Sequence, residues 1–279
     1  IAVLDTGVDI KNPDLKPNLW FNTLEVLGDG VDNDNNGYAD DLYGWDFIQN
    51  VPDPQPKYGK VWNPVAMNHG TIVAGVAAAV GNNAQGATGV AWQARIMSVR
   101  VLDSQGIGDT VTVARGIDYA VKNHADIINL SFVGPLSDPI LELSISRAYQ
   151  AGVLIVAAAG NESGAGVNLD RAPAYPVCDD GISGENQVIG VAAVDSADVL
   201  AGFSNFGNRC IDIAAPGTRI FSTQFLDTKH AEFTEPYGGY WSGTSVAAPL
   251  VAGALALLKA AYPSLSASNL RDVLIASGD

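Results

Sequence analysis

The chain has 279 residues, 47% of them hydrophobic and only 16% charged, with a formal charge of −15. That size suits one α/β domain, able to bury about three-quarters of its unfolded surface without staples. The acid excess excludes a nucleic-acid binder, which needs a basic face, and no stretch reads as a membrane span, the apolar run before Lys259 being short and rich in Ala and Gly.

Residues 1–4 read as a short strand buried on both faces, as in a parallel sheet. Opening on a core strand, with no signal-peptide pattern, is expected of a mature or trimmed domain. Asp5-Thr6-Gly7 comes next. A carboxylate at the C-terminal end of a buried strand stands where open α/β sheets keep their ligands, or merely makes a turn. Residues 29–46 are crowded with acids, and Asp32-Asn33-Asp34-Asn35-Asn36-Gly37 matches the front half of an EF-hand loop. Alternate oxygens of such a loop converge on Ca²⁺, and Gly37 permits its sharp turn. Position twelve is Tyr43 instead of a bidentate glutamate, so Asp40 and Asp41 are expected to supply the missing carboxylates. Like charges this close repel without a counter-ion, which favours calcium over a solvated loop.

Residues 51–68 are Pro-rich and polar and read as surface loop. His69 then opens a helix of small, uncharged residues reaching Val80, while His124 and His230 sit in polar contexts expected at the surface. Residues 81–89 are a loop by composition, 95–102 a strand, 110–123 a helix with Val113, Ile117, Ala120 and Val121 on one face, and 126–131 the next strand. Asp138-Pro139 opens a helix with Leu141, Ile145 and Ala148 inward, and Gly152 stops it. Residues 153–159 form a buried strand ending in Gly160-Asn161; further strands are expected at 188–194, 211–214 and 219–223, and an amphipathic helix at 264–277. This alternation predicts a single domain over 1–279: a three-layer, doubly wound, mostly parallel sheet. Cys178 and Cys210 are either two buried thiols or a disulfide. A bridge would close a loop of about thirty residues, contribute roughly 3–4 kcal/mol and suit an oxidising compartment.

From Val246 to Leu258 no side chain is charged, the mark of a buried helix. Ser245 stands at its start, behind Gly243-Thr244, where free backbone N–H groups suit an oxyanion. Asp5 and Asn161 end buried strands; His69 and Ser245 begin buried helices. All four belong on the C-terminal edge of the sheet and make up the parts for acyl transfer: nucleophile, base, orienter and oxyanion donor.

Four motifs resemble the subtilisin-like serine proteases: Ala2-Val3-Leu4-Asp5-Thr6-Gly7-Val8-Asp9, His69-Gly70-Thr71-Ile72-Val73-Ala74-Gly75, Ala158-Ala159-Gly160-Asn161 and Gly243-Thr244-Ser245-Val246-Ala247-Ala248-Pro249. Their order along the chain is that of subtilisin. The resemblance implies that Ser245 is the nucleophile, His69 the general base and acid, Asp5 its orienter and Asn161 an oxyanion donor. It further implies a substrate bound as an added strand along Ser131, Phe132 and Val133. Ala158, Ala159 and Gly160 would line the primary pocket, with Glu162 at its rim; walls this small suggest room for a bulky apolar side chain. Asp14 and Asn83 match ligands of a second calcium site, whose usual N-terminal contribution is missing here. Val133 stands where the family often has glycine and narrows a subsite or alters the fit of the bound strand. The protein so implied is a secreted, calcium-stabilised, monomeric serine endopeptidase acting on proteins or peptides and made with a pro-region. The alternatives are a catalytically silent binding module, a narrow maturation protease, and an esterase, against which the absence of Gly-x-Ser-x-Gly at Ser245 speaks.

Overall fold

The computed structural model describes residues 1–162, 164–180 and 185–278. Seven parallel strands form the central sheet: β1 (Ala2–Asp5), β2 (Gly44–Asp46), β3 (Met97–Arg100), β4 (Ile127–Leu130), β5 (Leu154–Ala158), β6 (Val188–Val194) and β7 (Ile213–Pro216). Their order is β2-β3-β1-β4-β5-β6-β7. A separate antiparallel hairpin pairs β8 (Ile220–Thr223) with β9 (Tyr237–Trp241).

The uninterrupted apolar runs of the central strands result from burial on both faces. On one face, Leu4, Val99, Ile128, Leu130 and Ile155 pack against α2 (Thr110–Lys122) and α3 (Pro139–Gln150) through Val113, Ile117, Leu141, Ile145 and Ala148. On the other, Val156, Ala158, Ile189 and Val191 meet α4 (Thr244–Ala261) and α5 (Ala267–Ala276), and Val3 and Ile96 meet α1 (Pro64–Ala78). The expected three layers are present. α4 is apolar enough to cross a membrane by length and hydropathy alone. Its inner stripe, Ala247, Ala248, Val251, Ala252 and Leu255, lies instead against the sheet, and Val246 packs on Ile72 and Val76 of α1.

Several sequence expectations need correction. α1 begins at Pro64, so His69 sits in its second turn instead of opening it, and residues 64–68 are helix, not loop. Asn63 Oδ1 caps this start by accepting from the N–H groups of Val65 (2.8 Å) and Ala66 (3.3 Å), and proline at the first position loses nothing there. His230 stays at the surface with its side chain 38% exposed, but its ring lies 4.4 Å from that of Tyr58 beside Trp62 and Phe233. Of the two readings of Cys178 and Cys210, by contrast, the structure bears out the disulfide.

Candidate active site

Parallel pairing of β1 with β4 and of β4 with β5 brings their C-terminal ends together on one edge. Asp5 ends β1 and is fully buried. Its Oδ1 accepts the Thr6 N–H at 2.7 Å. His69 Nδ1 lies 2.8 Å from Oδ1 and 2.9 Å from Oδ2 of Asp5. That contact sets the tautomer: Nδ1 carries the proton and Nε2 is left as the basic nitrogen. Burial works against the charged imidazole, but the Asp5 carboxylate and its hydrogen bond outweigh it and raise the His69 pKa above 6.5.

Thr6 couples this pair to α1. Its hydroxyl donates to the Ala66 carbonyl at 2.7 Å and accepts the Gly70 N–H at 3.2 Å. Gly70 is required by the closeness of the turn: a Cβ there would stand 2.3 Å from the Gly7 carbonyl oxygen. Beneath the turn lies a buried charge cluster that the sequence motifs do not announce. Arg100, opposite Asp5 in register, donates through Nε to the Thr6 carbonyl at 3.2 Å and through Nη1 to Asp46 at 2.8 Å, and Lys57 joins Asp46 at 2.8 Å. Arg100 reads as an ordinary strand residue in sequence, because its partner Asp46 belongs to β2, 54 residues away.

Ser245 is the second residue of α4, in the turn whose N–H groups have no helical acceptor. Pro249, four residues on, cannot donate to the Ser245 carbonyl. The Ser131 hydroxyl fills the gap at 2.9 Å, itself accepting from Asn129 Nδ2 at 2.9 Å. Ser131 also lines, with His69, Thr6, Ala66, Leu102 and Phe132, a cavity of about 270 Å³. The cavity thus runs from the imidazole to Ser131, whose hydroxyl holds the Ser245 carbonyl. Asn161 lies on the same side. Its Oδ1 accepts the Thr244 N–H at 2.8 Å and the Thr244 hydroxyl at 3.2 Å, which turns Nδ2 the other way. A Cβ at Gly243 would lie 3.1 Å from Ser245 Oγ and 3.4 Å from Asn161 Nδ2. The bare glycine thus keeps open the space onto which hydroxyl and amide converge. Phe132 and Val133 extend β4 beside a second, apolar cavity of about 310 Å³ with Leu102, Val113, Leu141 and Tyr175. Ala158, Ala159 and Gly160 face them from β5, buried, and Glu162 is exposed beyond.

The acidic loop is arranged differently from expectation. Glu25, Asp32 and Asp34 each place an oxygen within 4.8 Å of the others. Glu25 lies seven residues before the EF-hand-like run, so the motif does not include it. Asp40 uses both oxygens on the N–H groups of Gly28 and Gly30. Asp41 is buried and bonded to Tyr119 Oη at 2.6 Å, Asn36 Nδ2 at 2.8 Å and Asn22 Nδ2 at 2.8 Å. Asn36 turns its amide to Asp34 and Asp41, while its Oδ1 accepts the Tyr38 N–H. Three converging carboxylate oxygens are the donor set of a hard cation such as Ca²⁺. Asp14 and Asn83 also meet: Asp14 Oδ1 accepts Asn83 Nδ2 at 2.7 Å and Gln85 Nε2 at 3.1 Å, under a loop with left-handed Asn82, Ala84 and Gly86.

The profile of the subtilase family matches residues 1–278. Thermitase of Thermoactinomyces vulgaris is 37% identical over the whole chain, which covers 80% of that protein. Subtilisin DY of Bacillus licheniformis is 38% identical over 98% of the chain and 81% of its own length. The thermophilic serine proteinase of Bacillus sp. (strain AK1) is 38% identical over 92% of the chain, which spans about half of that longer protein (51%). Among solved structures, a cold-adapted subtilisin-like serine proteinase superposes with a TM-score of 0.72 at 28% identity, covering 99% of this chain and 80% of that one. With the buried Asp5–His69 pair, the serine at the start of the apolar helix and this coverage, the chain belongs to the subtilase family and is a serine endopeptidase.

Proposed function

We propose that the chain hydrolyses peptide bonds through Asp5, His69 and Ser245 by way of an acyl-enzyme. The observation that carries this reading is the bidentate approach of His69 Nδ1 to buried Asp5, at 2.8 and 2.9 Å. Nε2 of His69 takes the Ser245 proton as Oγ attacks the carbonyl carbon, and returns it to the leaving amine. Asp5 stabilises the imidazolium formed between the two steps. The carbonyl oxygen, now negative, receives hydrogen bonds from Asn161 Nδ2 and the Ser245 N–H. Water then attacks the acyl carbon as His69 takes its proton, and His69 returns that proton to Ser245 Oγ as the acyl bond breaks and the acid product leaves. The Ser131 hydroxyl is occupied with the Ser245 carbonyl, so its contribution is to hold the nucleophile in place. The substrate lies as a strand along 131–133, the apolar cavity beside Phe132 receiving a side chain upstream of the scissile bond.

Glu25, Asp32 and Asp34 would hold a structural Ca²⁺, and Asp14, Asn83 and Gln85 surround a second candidate position. The bound ion would neutralise the carboxylates and fix the loop. The disulfide and the bacterial subtilisin relatives favour a secreted, monomeric enzyme released from a pro-region. The test is cleavage of a chromogenic tetrapeptide anilide by wild type and Ser245→Ala, with a serine-directed fluorophosphonate alongside. Turnover and labelling, both lost in the variant, are expected. A folded wild type that neither cleaves nor is labelled would instead make the chain a silent binding module, and labelling without cleavage would favour a narrow maturation protease.

A further inference from the structure

We propose that Val133 is a specificity-determining residue, closing the pocket for the side chain before the scissile bond so that only small residues, Gly, Ala or Ser, are accepted. The proposal rests on the endopeptidase reading, with that side chain entering between residues 131–133, which follow β4, and residues 158–160, at the end of β5, the segments that the family resemblance assigns to the primary pocket. It reverses the bulky apolar preference that the small walls alone suggest.

The geometry is specific. A Cβ built on Gly160 would stand 3.0 Å from Val133 Cγ2 and 3.6 Å from Cγ1. Since a Cβ lies about 1.5 Å from its Cα, Val133 Cγ2 is within about 4.5 Å of the Gly160 backbone, already an ordinary carbon–carbon contact. A flat ring sandwiched between the two segments needs van der Waals clearance on both faces, so the walls must stand roughly 7–8 Å apart. The isopropyl group fills that space.

Neither wall has freedom to yield. The residue after Val133 is pinned: the Gly134 N–H donates to the Tyr175 carbonyl at 2.7 Å, and the Tyr175 N–H returns the bond at 2.9 Å. Ser131, two residues before, is tied to the Ser245 carbonyl. Opposite, the Gly160 N–H donates to Thr244 Oγ1 at 3.0 Å, the Gly160 carbonyl accepts the Asn205 N–H at 3.1 Å, and Asn205 Nδ2 donates to the Ala159 carbonyl at 3.0 Å. Valine is branched at Cβ, so rotation about χ1 exchanges methyl groups without withdrawing the side chain. Val133 remains 37% exposed, so it is a wall of the cleft and not a core residue whose removal would collapse the domain.

The experiment compares kcat/KM for succinyl-Ala-Ala-Pro-Ala and succinyl-Ala-Ala-Pro-Phe p-nitroanilides in wild type, Val133→Ala and Val133→Gly. One methylene of misfit in an apolar pocket is worth roughly 10–200-fold. Wild type is expected to prefer the Ala peptide, and the Phe/Ala ratio to rise stepwise from Val to Ala to Gly, by about 100-fold in all. A wild type that prefers Phe, or a ratio unchanged across the three, overturns the gate and leaves the endopeptidase standing. Absence of turnover of both peptides by all three folded proteins overturns the gate, and fluorophosphonate labelling then separates a narrow protease from a silent module.

Discussion

The catalytic edge and the acidic loop both gather carboxylates and amides, and they are held in opposite ways. At the catalytic edge, Asp5 sits at the end of a strand flanked by two others, with its oxygens taken by the Thr6 N–H and His69. Thr6 directly follows β1 and His69 stands in α1, both elements fixed by the core. In the acidic loop, Glu25 holds the N–H groups of Asn33, Asp34 and Asp40, and Asp32 those of Asn36 and Gly37. Its apolar residues, Leu24, Val26, Leu27 and Val31, are all more than half exposed. A scaffold orients the first region in advance. The second is tied to α2 through Asp41 and Lys122, while its outer part is held by its own carboxylates, whose repulsion a cation would relieve.

Breaking the first region has the largest expected effect. Ser245→Ala should lower kcat by roughly a millionfold, the scale known for a subtilisin triad serine, with the melting temperature unchanged. Retained turnover in pure protein would remove Ser245 from its role. Asn161→Ala should lower kcat by about 100- to 1,000-fold, as for subtilisin's own oxyanion asparagine, with little change in KM. A change in KM alone would mean that the amide binds ground state and transition state equally.

The second region answers to chelation. Calcium at a hundred times its Kd stabilises by about 2.7 kcal/mol, so excess EDTA should lower Tm by roughly 5–10 °C. Glu25→Gln should remove most of that calcium-dependent gain and Asp40→Asn little of it; the reverse would restore the EF-hand-like ligand set. The smallest effect is on pH dependence. Asp5 favours the imidazolium, so His69 keeps its proton above pH 6.5 and becomes a base only as pH rises through its raised pKa. The acid limb of kcat/KM should therefore have its midpoint above 6.5. A midpoint below it would mean that burial outweighs Asp5.

The catalytic edge is largely legible in sequence, because strand ends and helix starts carry their own signals. The apolar run at 188–194 coincides with β6, and Asp138 caps α3 as expected. The start of α1 is harder to read although Asn63-Pro64 is a good helix opening, because the residues before it are rich in proline. Strand β9, Tyr-Gly-Gly-Tyr-Trp, has too little apolar pattern to stand out, and β8 is its paired neighbour. Glu25 and Arg100 stay hidden for a shared reason: each acts through partners that only the folded chain brings near. Asp40 and Asp41 lie outside the group formed by Glu25, Asp32 and Asp34 because spacing in a motif gives no direction to a side chain.

The Ser131–Ser245 tether joins residues 114 apart, Asn161–Thr244 residues 83 apart, and Asp5–His69 residues 64 apart. Closing loops of that length costs entropy before any contact offsets it, so such contacts are expected late in folding. A half-folded chain therefore carries no assembled nucleophile. For a protein that cuts polypeptides, this timing has a use: the power to cleave arrives only as the chain's own unfolded, cleavable form disappears.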